Sequence, residues 1–156
     1  MIDDKLLSLI KDAYVAEVYA VNFAWQCSVN VKGLIEYPIY KKYWKHNYED
    51  EEVHRDLLAS LLSGYGETVT LPDMEIPVFS STEEALAHQY QNEIWAIERY
   101  TRMAKIAQGL GNEGLASKFA DLAFDEEQDR IEIIKRLGEE PQAKVTETLP
   151  GDPMAV

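Results

Sequence analysis

The sequence predicts an all-α fold, an antiparallel four-helix bundle with one long crossover between helices two and three. Three observations carry this. Four stretches place apolar residues at three- and four-residue spacing, the period of a helix with one buried face. Short glycine-containing segments join the first stretch to the second and the third to the fourth. A much longer segment, rich in glycine and proline, separates the two pairs.

The first helix is expected from about Asp3 to Val31, with Leu6, Ile10, Ala13, Ala20 (or Val21), Ala24 and Ser28 along one face. The second runs from about Tyr37 to Leu62, with Tyr40, Tyr43, Trp44, Leu58 and Leu61 as its stripe. Pro38 suits its first turn, where a missing N–H leaves no bond unmade. The third follows Ser80-Ser81-Thr82-Glu83-Glu84, a capping sequence with acids near the positive end of the helix dipole. It continues to about Ala107 through Leu86, Tyr90, Ile97, Tyr100 and Ala104. The fourth runs from about Asn112 to Leu137, with Leu115, Phe119, Leu122 and Ile133 inward, and stops at Gly138.

The turns around Lys32-Gly33-Leu34 and Gly109-Leu110-Gly111 are short, so each pair must form an antiparallel hairpin. The segment from Gly64 to Ser81 carries Gly64, Gly66, Pro72 and Pro77, and is long enough to run the length of the bundle. Helices two and three can then lie parallel. The bundle domain is expected over residues 1–138. Residues 139–156, with Pro141, Pro150 and Pro153, read as an extended or mobile tail.

With 28 acidic and 15 basic residues, the formal charge of −13 repels phosphate backbones and argues against nucleic-acid binding. No apolar run approaches the ~20 residues that cross a bilayer, so no membrane association is expected. The opening MIDDKLLSLIKD has acids where a signal peptide would have basic residues, and the single Cys27 forms no internal disulfide. A cytoplasmic location is expected.

The informative residues are polar ones where the stripes call for apolar ones. They are Glu17 on helix one, Glu51 and His54 on helix two, Glu93 on helix three, and Glu126 with Asp129 on helix four. Burying one unpaired carboxylate costs several kcal/mol or forces its protonation, so five inward acids call for compensating positive charge. No inward lysine or arginine is apparent near them, which leaves metal ions. Residues equidistant from a turn at 34 face each other, setting Glu17 against position 51; a turn at 110 sets Glu93 next to Glu126. The offset from Glu17 to Glu93, 76 residues, nearly equals the 75 from Glu51 to Glu126. All six are therefore expected at one level. Each hairpin supplies one Glu from its first helix and an i, i+3 pair from its second, an arrangement suited to a dinuclear site.

With Ala16-Glu17-Val18, Glu51-Glu52-Val53-His54, Glu93 and Asp125-Glu126-Glu127 in view, the chain resembles the bacterioferritins, a ferritin-like family, nearly throughout to about Leu137. The resemblance implies that Glu51 and Glu126 bridge two iron ions. Glu17 and His54 would complete one iron site, Glu93 and Asp129 the other. It further implies ferroxidase chemistry on Fe(II), with oxygen or peroxide as oxidant and storage of ferric iron as mineral left open, in a homo-oligomer of two or more chains. Asp129 stands where the family has a second histidine. Five acids against two divalent ions leave about one net negative charge, which favours harder ions such as Mn(II). Glu52 stands where the haem-ligating methionine falls, so haem is not expected. The family's short fifth helix is not evident in the proline-rich tail.

Plainer readings stand beside these. Asp125, Glu127 and Asp129 together fit a solvated acidic face, and His46 and His88 fit surface positions. Tyr14, Tyr19, Trp25, Trp95 and Tyr100 fit packing in the core or an interface, with a redox role open to Trp25 or Tyr100. Two alternatives to a ferroxidase remain: a dinuclear iron or manganese oxidase or hydroxylase with an apolar channel to its metals, and a structural protein with a degenerate site.

Overall fold

The computed structural model describes residues 2–31 and 37–141. Four helices form the bundle: α1 (Asp4–Val29), α2 (Tyr37–Gly64), α3 (Thr82–Gly109) and α4 (Glu113–Leu137). Each lies within about two residues of its expected bounds. Among the described residues there is no strand, and no helix is long and apolar enough to cross a membrane.

Side chains satisfy the helix ends, as free terminal amides and carbonyls require. Asp3 accepts from the Lys5 and Leu6 amides at 3.0 and 3.2 Å. Ser81 accepts from the Glu84 amide at 3.2 Å, while Glu84 accepts from the Ser80 hydroxyl at 2.9 Å. Asn112 accepts from the Leu115 amide at 3.1 Å. At the end of α4, Gly138 takes the left-handed φ of 73° that a side chain would resist, and its amide donates to Ile134 O.

The α3–α4 turn lies at the expected position, Leu110–Gly111. The expected α1–α2 turn at Lys32-Gly33-Leu34 lies outside the described residues, as does nearly all of the expected tail. The long crossover runs along α1. Glu67 pairs with Lys11 at 2.8 Å, Thr70 O accepts from the Tyr14 hydroxyl at 3.0 Å, and Pro77 O accepts from the Gln26 amide at 2.7 Å. From Lys11 to Gln26 is roughly 22 Å of helix at 1.5 Å per residue, so the link spans most of the bundle and sets α2 and α3 parallel.

Apolar packing divides into two clusters. One contains Leu6, Ile10, Ala13, Leu58, Met103, Phe119 and Leu122. The other contains Phe23, Trp44, Leu86, Tyr90 and Ile133. On α2, α3 and α4 the polar residues singled out above lie between the two, and on α1 Glu17 adjoins the boundary at Val18 and Tyr19. Phe119 has no exposed surface, so Phe119→Ala is expected to destabilise the chain by about 3–5 kcal/mol in urea unfolding.

The candidate metal centre

Helical periodicity delivers the candidate residues to one level of the bundle. Glu17, Glu51, His54, Glu93 and Glu126 are buried, and Asp129 is half-buried. Their potential ligand atoms fall into two sets, each within 4.8 Å of one another: Glu17, Glu51, His54 and Glu126, and Glu51, Glu93, Glu126 and Asp129. Glu51 and Glu126 are common to both. All six residues expected from the sequence are therefore brought together.

Several neighbours hold these side chains. The Tyr100 hydroxyl donates to Glu17. Gln89 donates to Glu93 at 2.5 Å and accepts from Asn92 at 3.1 Å. His54 Nδ1 lies 3.1 Å from Glu126 and 3.3 Å from Glu51, while its Nε2 lies 3.5 Å from the exposed Asp125 carboxylate. A carboxylate on the outer nitrogen orients a ligating imidazole and raises its basicity.

Burial and mutual repulsion disturb the ionisation of the whole set. Burial, together with the Glu126 charge, pushes Glu17, Glu51 and Glu93 above the usual carboxylate range. Burial and the Glu126 charge also raise Asp129 to about 8. Burial would lower His54, but Glu126, Glu51 and Glu17 outweigh it and hold the imidazolium. Burial would likewise raise Glu126, yet His54 and Arg99 hold it below its ordinary value. Without metal, the cluster thus keeps protons where divalent cations would otherwise balance its charge.

The donor set fits such ions. Glu51 Oε2, Glu126 Oε2 and His54 Nδ1 are buried and form no well-aligned hydrogen bond among the described residues, although Glu51 Oε2 and His54 Nδ1 lie 3.3 Å apart. Buried polar atoms so poorly satisfied are costly, and a cation shared by them removes that cost. Carboxylate oxygens with one imidazole suit iron or manganese.

Sequence reasoning missed an inward cation. Arg99 is only 3% exposed and its charge reaches Glu126, contrary to the expected lack of any inward arginine. It lies on the side of α3 facing α1, beside the stripe, so periodicity alone hid it. One guanidinium and one imidazolium still fall short of five acids. Gln89, Asn92 and Asn47 were also missed; each is buried, yet uncharged amides read as surface residues. Gln89 lies four residues before Glu93 on the same helix face, the one signal that pointed to it.

Other expectations divide. His46 is exposed and pairs with Asp50 at 3.3 Å, as a surface residue should. His88 is half-buried, accepting or donating at 2.7 Å with the Tyr19 hydroxyl and packed against Phe23 and Phe79, which corrects its surface reading. Trp95 is buried, whereas Trp25 is 54% exposed, which leaves the interface half of its expected reading. Glu52, half-buried, accepts from the Tyr48 hydroxyl at 2.7 Å.

Known proteins place this fold. The ferritin-like domain family profile matches residues 7–144. No curated protein sequence matches the chain. Among solved structures, a ferritin-like diiron-carboxylate protein from Bacillus anthracis is 23% identical with a TM-score of 0.79, covering 85% of this chain and 95% of its own. An open-pore ferritin from the hyperthermophilic archaeon Archaeoglobus fulgidus is 15% identical with a TM-score of 0.72, covering 88% and 84%. A protein from Xanthomonas campestris is 16% identical with a TM-score of 0.74, covering 86% and 89%. At these identities the likeness speaks for the fold, while the profile spans most of the chain: the chain belongs to the ferritin-like domain family.

Proposed function

We propose that the six-residue cluster binds two metal ions and that the chain oxidises Fe(II), as a ferroxidase that also holds ferric iron. One observation supports this above the rest: two sets of four potential ligands share Glu51 and Glu126. In this reading Glu51 and Glu126 lie between the ions, Glu17 and His54 serve one, and Glu93 and Asp129 serve the other. As substrate, two Fe(II) ions held there would supply one electron each, enough with two protons from solvent to take one oxygen to hydrogen peroxide or one hydrogen peroxide to two waters.

The chain's own residues would act by position and charge. Tyr100 holds one Glu17 oxygen and Gln89 holds one Glu93 oxygen, which fixes the remaining oxygens before a metal arrives. Asp125 lies 3.5 Å from the outer nitrogen of His54, close enough to favour its protonated or metal-bound orientation. Carboxylates outnumber imidazole five to one, stabilising the higher oxidation state and admitting Mn(II) as a competitor. Haem has no place in the proposal.

Anaerobic titration with Fe(II) followed by oxygen tests the reading. About two irons per chain should oxidise rapidly, with near-ultraviolet ferric absorption. A chain that binds no Fe(II), or binds it without oxidation, would sink the ferroxidase proposal. The second reading, an oxidase acting on an organic molecule, is favoured by a groove between α2 and α4 whose lining includes His54 and Asp129.

A homo-oligomer is part of the proposal. Trp25 and Val29, one turn apart on α1, are 54% and 55% exposed, and such a pair is better covered than solvated. Trp25→Glu is expected to shift the chain toward monomer in light scattering after size exclusion. An unchanged mass would remove this face from the interface.

A further inference from the structure

The groove between α2 and α4 has a volume of about 790 Å³, within the roughly 300–1,000 Å³ usual for small-molecule sites. One end reaches His54 and Asp129 of the metal cluster. The other is built by Pro38, Lys42, Tyr43 and Arg136. From Arg136 to Asp129 is about 10 Å along α4 at 1.5 Å per residue.

The two ends differ in charge balance. Of the groove's acids, Glu132 faces Lys135 at 3.0 Å, while Asp50 and Asp125 face the imidazoles of His46 and His54 at 3.3 and 3.5 Å, partners that carry charge only when protonated. Asp129 belongs to the metal cluster. Lys42 and Arg136, by contrast, have no carboxylate within ion-pair distance among the described residues. Lys5, Arg99, Arg102, Lys105 and Lys118 likewise have no carboxylate at that distance, so what sets this end of the groove apart is the setting of Arg136. The Arg136 guanidinium lies over the Tyr43 ring, 4.7 Å from its centroid, and its buried Nε has no acceptor among the described residues. Stacking of this kind holds the plane of a guanidinium so that it can meet a planar anion edge-on. The wall includes Ile39 and Val53, 59% and 67% exposed. An aqueous ion would leave both wet, whereas an apolar body would cover them.

We propose that this groove binds a small organic carboxylate, its anionic head between Lys42 and Arg136 and its apolar body along Ile39 and Val53 toward the metal cluster. The claim stands apart from the metal reading, because none of these four residues belongs to the six-residue cluster. It commits to binding alone and not to turnover of the ligand.

Calorimetric titration of the full chain with 3-phenylpropionate, beside the neutral 3-phenylpropanamide, tests the proposal. Both metal-free and Zn(II)-loaded protein should be used. The acid should bind with a dissociation constant of about 0.1–1 mM, and the amide at least ten-fold more weakly. Arg136→Gln should weaken the acid at least ten-fold and leave the amide unchanged, with Arg136→Lys restoring most of the loss. Should Arg136→Gln fail to fold by circular dichroism, Lys42→Gln carries the same comparison. Equal affinity for acid and amide, or no binding of the acid, overturns the proposal. So does binding that needs Zn(II) and ignores both substitutions, since the carboxylate would then sit on the metal. Binding seen only after removal of residues 142–156 would give the groove to the chain's own tail and overturn it too. Failure of Fe(II) binding with charge-dependent binding of the acid would defeat the metal reading and leave this one standing.

Discussion

Glu51→Ala, loaded with Fe(II) and analysed for metal, will lose both ions, whereas Glu17→Ala and Glu93→Ala will each lose one. The asymmetry follows from membership. Glu51 belongs to both sets of four potential ligands, Glu17 to only one and Glu93 to the other. Changes to groups that merely support a ligand already cost about 10- to 100-fold in metal affinity. Removing a shared ligand should cost on the order of 100-fold or more at both positions. Stoichiometries near two, one, one and zero for wild type, Glu17→Ala, Glu93→Ala and Glu51→Ala would fit. Equal losses in all three variants would contradict a shared pair of carboxylates.

The second large effect runs the other way, toward higher stability. An acid whose folded pKa lies above its unfolded value makes the folded state bind the extra proton, so stability falls as pH rises between the two values. Asp129 is raised from 3.8 to about 8, chiefly by burial and the Glu126 charge, and Glu17, Glu51 and Glu93 shift the same way. His54, also raised, contributes stability below its ordinary value of 6.5 that is lost as pH climbs. Within the cluster Glu126 is lowered, and outside it Glu127 is lowered by Arg130; both contributions are lost below 4.5, outside this window. Metal-free protein should therefore be less stable at pH 8 than at pH 5, by at least about 2 kcal/mol in urea unfolding. Asp129→Asn should raise metal-free stability at pH 8 by about 1–3 kcal/mol and change little at pH 5. Saturating Mn(II) or Zn(II) should flatten or reverse the pH dependence, because a ligand bound only by the folded state stabilises it. A metal-free chain that grows more stable from pH 5 to pH 8 would contradict the proposed charge crowding.

Much of this was legible from sequence because two periodicities agree. Leu115, Phe119, Leu122 and Ile133 mark the buried face of α4, and Glu126 falls on it as an exception that burial makes expensive. Two short turns then convert residue numbers into depth, so that Glu17, Glu51, Glu93 and Glu126 meet. What stayed hidden depends on neighbours rather than on period. α3 is covered by α4 on one side and by α1 on another, which buries a wide arc including Gln89, Asn92 and Arg99. A stripe three residues wide cannot reveal that arc. For Trp25 the sequence left core and interface both open, because an aromatic side chain signals burial without saying by what; its 54% exposure takes it out of the core of this chain. His88 misled because histidine is polar, although its ring packs as an aromatic between Phe23 and Phe79.

Anomalous diffraction from crystals soaked in Fe(II) without oxygen tests the central claim most directly. The proposal predicts two anomalous peaks about 3.5–4 Å apart, with Glu51 and Glu126 between them, Glu17 and His54 on one and Glu93 and Asp129 on the other. A single peak, or peaks that leave Glu51 and Glu126 without metal, would contradict it.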